Sequence, residues 1–145
     1  MITAWYTAYK SNKVSQGSLI LELKTLELNN KRRLHKAIIE MENLRLWIES
    51  QGLNLTFSAF SDELSKDEYE NVREMLYFYE YLGSIVKMRQ ISFYQVFSVI
   101  YFPDDFDLKA QQIISIIQNQ KHDFMENYQY LRTRYRNKRV KNNDN

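Results

Sequence analysis

The chain has 145 residues, with 20 Lys and Arg against 18 Asp and Glu, 44% hydrophobic residues and no cysteine. That length supports one domain burying roughly two thirds of its unfolded surface, while the missing thiols exclude disulfides and thiolate metal sites. A net charge of +2 is too mild to indicate nucleic acid by itself, and no apolar run reaches the ~20 residues of a membrane span, so a soluble, cytoplasmic chain with no membrane partner is expected.

Along the chain, 1–13 holds Trp5, Tyr6 and Tyr9 at spacings that could dock a short helix, but lacks a clear cap, so 1–17 is read as a stretch that can be mobile. Ser18 can cap a long helix whose apolar stripe runs through Leu19, Leu23, Leu26, Leu34, Ile38, Met41, Leu44 and Ile48. A break at Asn29 and Asn30 would instead give two antiparallel helices, leaving 18–50 as one helix or two. Gly52 is a natural left-handed C-cap, and Leu53, Leu55, Phe57 and Phe60 follow as an apolar loop.

Ser65 with Glu68 has the spacing of a capping box and starts a helix near residue 66. From there Val72, Met75, Leu76, Tyr79, Leu82, Ile85 and Val86 recur at steps of three and four, and Phe78 and Tyr81 widen the apolar face until neighbours must surround it. Ser92 with Gln95 forms a second box, and Pro103 stops the helix it opens. Asp107 can cap a helix carrying Leu108, Ile113, Ile114, Ile116 and Ile117. Asp123 with Glu126 marks a last start, with Phe124, Tyr128, Leu131 and Tyr135 along one seam; 142–145 should fray. Three glycines and one proline leave little turn chemistry for a sheet. The expected fold is an all-α, single-domain bundle of five or six helices, built on a central hairpin of about 66–88 and 92–102.

The pattern Phe78, Glu80, Leu82, Gly83, followed by 93–97 and by Glu126, Asn127, Tyr130 and Leu131, resembles a family of uncharacterised bacterial and prophage helical proteins, over the C-terminal half to two thirds. The resemblance implies a helical fold and carries no activity. Many members of that family begin with a membrane helix, for which this chain shows no candidate.

Glu80 stands among Phe78, Tyr79, Tyr81 and Leu82, where a dry carboxyl would titrate high; the structural alternative is that it accepts hydrogen bonds and fixes helix packing. Gly83, three places on, suits a close helix approach. His35 and His122 have no second histidine at helical spacing, so no metal is expected. Gln118 stands where a helical ribonuclease ending in His122 would need arginine. Asp104, Asp105 and Asp107 lack the bend glycine and further oxygens of a hard-cation loop. No phosphate-binding glycine loop or nucleophile elbow occurs, so no catalytic residue and no cofactor are expected.

The strongest charge asymmetry is C-terminal, where Arg132, Arg134, Arg136, Lys138, Arg139 and Lys141 follow one another without an acid. Arg132, Arg136 and Arg139 flank the Tyr128–Tyr135 seam and make these five residues the candidate partner surface. The expected role is non-catalytic binding of a protein partner, a second copy included, as in a phage or mobile-element accessory protein acting on a host or defence protein. The alternative is a nucleic-acid binder using the basic C-terminal helix.

Overall fold

The computed structural model describes residues 16–144. Among them are six α-helices and no strand: α1 (Gln16–Gln51), α2 (Phe57–Leu64), α3 (Glu70–Lys87), α4 (Phe93–Val99), α5 (Asp104–Gln118) and α6 (Glu126–Asp144), with 3₁₀ turns at Gly52–Asn54 and Asp67–Tyr69. The all-α expectation holds. The docking of Trp5, Tyr6 and Tyr9, and the mobility expected before Gln16, fall outside the described residues. Two compact units are present, one of 16–29, 77–102 and 127–144 and one of 30–76 and 103–126, with α1 and α3 contributing to both.

In the first unit α3 supplies buried Phe78, Tyr79, Leu82, Ile85 and Val86, and α6 supplies Tyr128, Leu131 and Tyr135. Rings fill the space: Phe102 stacks on Tyr135 with centroids 5.0 Å apart, and Tyr79 meets Phe102 edge-on at 5.0 Å. The sequence pattern extends the second hairpin helix to residue 102, whereas α4 ends at Val99 and the chain continues extended from Ile100. Extended backbone inside a helical unit has no ladder partner, so its polar groups need side chains. Side chains reach its carbonyls: Lys24 donates to Val99 O at 2.6 Å, Tyr135 to Ile100 O at 2.7 Å and Tyr79 to Tyr101 O at 2.8 Å. Glu27 accepts the Tyr101 amide, and Arg139 donates to Phe102 O.

The second unit packs Ala37, Met41, Leu44 and Ile48 of α1 with Val72, Met75 and Leu76 of α3, and with Phe106, Ala110, Ile113, Ile114 and Ile117 of α5, all buried. Phe60 and Phe124 meet at right angles with centroids 5.5 Å apart, and Phe57 joins them 5.9 Å from Phe124. Of the apolar residues read on α5, Leu108 and Ile116 are exposed; Phe106 and Ala110 are buried there as well as Ile113, Ile114 and Ile117.

Several boundaries differ from the sequence expectation for local reasons. α1 runs unbroken through Asn29 and Asn30, since neither Gly nor Pro interrupts it, and ends at Gly52 with φ +55°, the left-handed cap foreseen. The apolar stretch after Gly52, expected as loop, contains α2, whose Thr56 hydroxyl accepts the Ala59 amide at 3.0 Å. Its third position is alanine, so no capping box announces it. The Ser65–Glu68 box does not form: Ser65 donates to Asp62 O at 2.7 Å, and Asp67–Tyr69 make a 3₁₀ turn before α3 starts. Asp107 lies one turn inside α5, its amide donating to Pro103 O at 3.0 Å, so Pro103 holds the cap position.

Glu42 joins α1 to α5 by accepting from Arg45 at 2.5 Å and from Lys109 at 2.9 Å. Those hydrogen bonds, Arg45's first, hold its carboxyl down at about 2 from an ordinary 4.5. A depressed acid stabilises the fold above its unfolded value and loses that contribution as pH falls through the folded one. Wild type should therefore lose stability relative to Glu42→Gln between pH 4.5 and about 2, by an amount that solvent and salt screen. Urea unfolding of both proteins across that window checks the sign.

Candidate functional site

The residue before α6 is Met125, which has φ +56° and no side-chain oxygen to accept a helix amide. The orphan amides of α6 are met from α3. Glu80 Oε2 accepts the Tyr128 amide at 2.7 Å, while Oε1 accepts the Asn127 side-chain amide at 3.1 Å and its backbone amide at 3.4 Å. A carboxylate facing the positive end of a helix is favoured by both the open N–H groups and the dipole. Glu80 thus closes the start of α6, and none of these bonds involves a histidine.

One turn along α3, Gly83 faces the same contact. A Cβ built there would stand 2.0 Å from Asn127 O and 2.6 Å from Asn127 C. The glycine therefore lets α6 approach close enough for Glu80 to reach its amides, and the two residues act together.

The Tyr128–Tyr135 seam faces inward. Tyr128 is fully buried and Tyr135 nearly so, with the Tyr135 hydroxyl on Ile100 O. Neither ring is presented to a partner. Arg139 is half-buried with one amino group on Phe102 O and its guanidinium 5.7 Å from the Tyr135 ring. Arg132 is half-buried, and Arg136 is exposed. Sequence reasoning correctly marked the seam as apolar and could not tell that Arg139 serves the core, since the extended segment it holds was read as helix.

Contacts that the sequence reading missed lie where α3 ends. Arg134 sits 4.6 Å from the Phe93 ring centroid and donates to the Tyr130 hydroxyl at 3.0 Å; Lys87 approaches the Tyr130 ring at 5.9 Å and Lys138 the Tyr94 ring at 4.8 Å. None of these cations makes a salt bridge with a described residue. Among the described residues no cluster of three or more His, Asp or Glu has metal-site geometry. His35 and His122 are both exposed, and Gln118 donates to Phe124 O at 2.9 Å.

No protein-family model matches the chain, and no solved structure matches it. A segment is similar to the RNA-directed RNA polymerase L of Citrus psorosis virus (isolate Spain/P-121), 46% identical over 50 residues, which covers 32% of this chain and 2% of the polymerase. The match spans a very small part of that protein.

Gly83→Ala gains about 1 kcal/mol of helix propensity but forces backbone apart, which costs about 2–3 kcal/mol, so net destabilisation is expected. Glu80→Ala strands the α6 amides and should cost about 1–2 kcal/mol. Urea midpoints of the two variants and of the double variant check both numbers; the double should lose less than the sum, because both singles loosen the same contact.

Proposed function

We propose that the chain is a non-catalytic interaction protein that binds another protein through the outward aliphatic side chains of α1, the partner presenting a helix. The observation that carries this reading is a repeated spacing. In the first unit Leu21 and Leu28 are 68% and 54% exposed, and in the second Ile39 and Leu46 are 67% and 51% exposed. Each pair is seven residues apart, which returns to within about 20° of the same helical face, the spacing that seats one helix against another. Covering such a side chain contributes about 1.5–3 kcal/mol, so each pair is a substantial adhesive feature. Scattered single leucines would carry no such meaning.

A second copy of this chain is one such partner. The resemblance of the C-terminal half to two thirds to uncharacterised bacterial and prophage helical proteins supports reading the chain as an accessory protein of a phage or mobile element that acts on a host or defence protein, and the cysteine-free composition suits the cytoplasm.

Charge favours nucleic acid as a second reading. Residues 16–29, 77–102 and 127–144 carry nine Lys and Arg against four Asp and Glu, whereas 30–76 and 103–126 carry nine against fourteen. In the basic unit, Glu27 is already engaged by Lys24 and the Tyr101 amide, and Glu80 by the Tyr128 amide. Truncating α6 would not test this reading, because Tyr135 and Arg139 hold the core segment.

Introducing charge on α1 separates the readings. Leu21→Arg with Leu28→Arg, and Ile39→Arg with Leu46→Arg, should each abolish self-association or partner capture, measured by light scattering against the 17.6 kDa monomer and by pull-down from the host. Unchanged assembly in both double variants, with nucleic-acid binding that weakens steeply with salt and with Arg136→Gln, would replace the first reading by the second.

A further inference from the structure

The end of α3, the start of α4 and one side of α6 enclose a cleft of about 420 Å³, lined in part by Lys87, Arg89, Ser92, Phe93, Tyr130 and Arg134. Its lining carries three cations and no acid, and none of the three forms a salt bridge with a described residue. Cations gathered without counter-charge repel one another, so their arrangement calls for an anion or for another source of stabilisation.

Aromatic rings provide part of it. The Arg134 guanidinium lies over Phe93 at 4.6 Å and over Tyr130 at 5.9 Å, and the Lys87 ammonium approaches the same tyrosine at 5.9 Å. The rings therefore orient cations, and their faces are not free platforms for stacking bases. Ser92 Oγ accepts the Gln95 amide at 3.2 Å, which leaves its hydroxyl hydrogen to donate into the cleft.

Arg89 adds an independent observation. It has φ +61°, with its amide on Val86 O at 3.0 Å and the Gln90 amide on Ile85 O at 3.0 Å. This is the C-terminal closing turn that glycine normally occupies, and glycine does occupy the corresponding place after α1. Here a long, permanently charged side chain holds a backbone conformation that L-residues rarely adopt, on the lip of the cleft.

We propose that this cleft binds a compact polyphosphate anion, with Arg89, Arg134 and Lys87 neutralising its phosphates and the Ser92 hydroxyl donating to one of their oxygens. Three cations exceed the charge of a single phosphate and match a diphosphate group, and guanidinium forks suit phosphate oxygens. The volume is within the range of small-ligand pockets. Free pyrophosphate and the diphosphate of a nucleotide share this chemistry.

Isothermal titration of the full chain with pyrophosphate, inorganic phosphate and ADP at physiological salt tests the site. Saturable one-to-one binding of pyrophosphate at millimolar affinity or tighter is expected, with phosphate weaker. Arg89→Gln and Arg134→Gln should each weaken it about tenfold, the loss of one charge-assisted hydrogen bond, while Arg136→Gln leaves it unchanged. Arg89 is exposed and engages no other described side chain, so its variant keeps the fold even if Arg134→Gln does not. ADP binding tighter than pyrophosphate would identify a nucleotide as the source; equal affinities would identify the diphosphate alone. Absence of saturable pyrophosphate binding, or an equal loss in Arg136→Gln, overturns the proposal.

Discussion

The structure depends on carboxylates of earlier helices closing the starts of later ones. A helix leaves its first amides without internal partners, and burying that end unsatisfied is costly. Neither α3 nor α6 supplies a capping side chain from the residue before it. In the second unit Glu40 of α1 accepts the amides of Asn71 and Val72 at 3.0 and 3.2 Å, with the Asn71 side chain on its other oxygen. In the first unit Glu80 of α3 does the same for Asn127 and Tyr128. Both receiving helices begin Glu-Asn followed by a large buried residue, Val72 or Tyr128. The asparagine matters because its side-chain amide donates to the same carboxylate as the backbone, fixing the angle at which the helix enters. Gly83 belongs to this arrangement as the space that admits it.

A second constraint is the extended segment after α4. Its carbonyls and one amide are met by side chains from α1, α3 and α6, which explains why an apolar stretch rich in Val and Phe stops being helical before Pro103 forces it to. Proline disfavours helix in the residue before it, and Tyr79, Tyr135, Glu27 and Arg139 make the extended alternative stable further back. Arg139 illustrates how a cation in a basic run can be structural while its neighbours face solvent.

Much of this was legible in sequence. The three-and-four periodicity of α3 named its buried residues correctly, the Ser92–Gln95 box forms with both of its hydrogen bonds, and Gly52 turns left-handed as its position suggested. What could not be read was tertiary in origin. The Ser65–Glu68 box has the right residues but loses to a cap delivered from Glu40, thirty-one residues upstream. α2 was hidden because its cap, Thr56, has no acid three places on. Glu80 drew attention through its apolar neighbours in sequence, but on a helix those neighbours point elsewhere, and its own direction leads to α6. Lys87 and Arg89 could not be singled out, since the cleft they border needs α4 and α6 in place.

The two tyrosine hydroxyls that hold the extended segment set a limit on the alkaline side. Burial, with Glu27 adding to it, pushes both Tyr79 and Tyr135 above the ordinary phenol range. A group raised on folding stabilises fully below its unfolded value, about 10 for tyrosine, and that contribution is lost as pH rises toward the folded one. Ionisation would turn two proton donors into phenolates facing the carbonyl oxygens of Ile100 and Tyr101. Base would thus open the first unit from within, at the very atoms that acid leaves untouched.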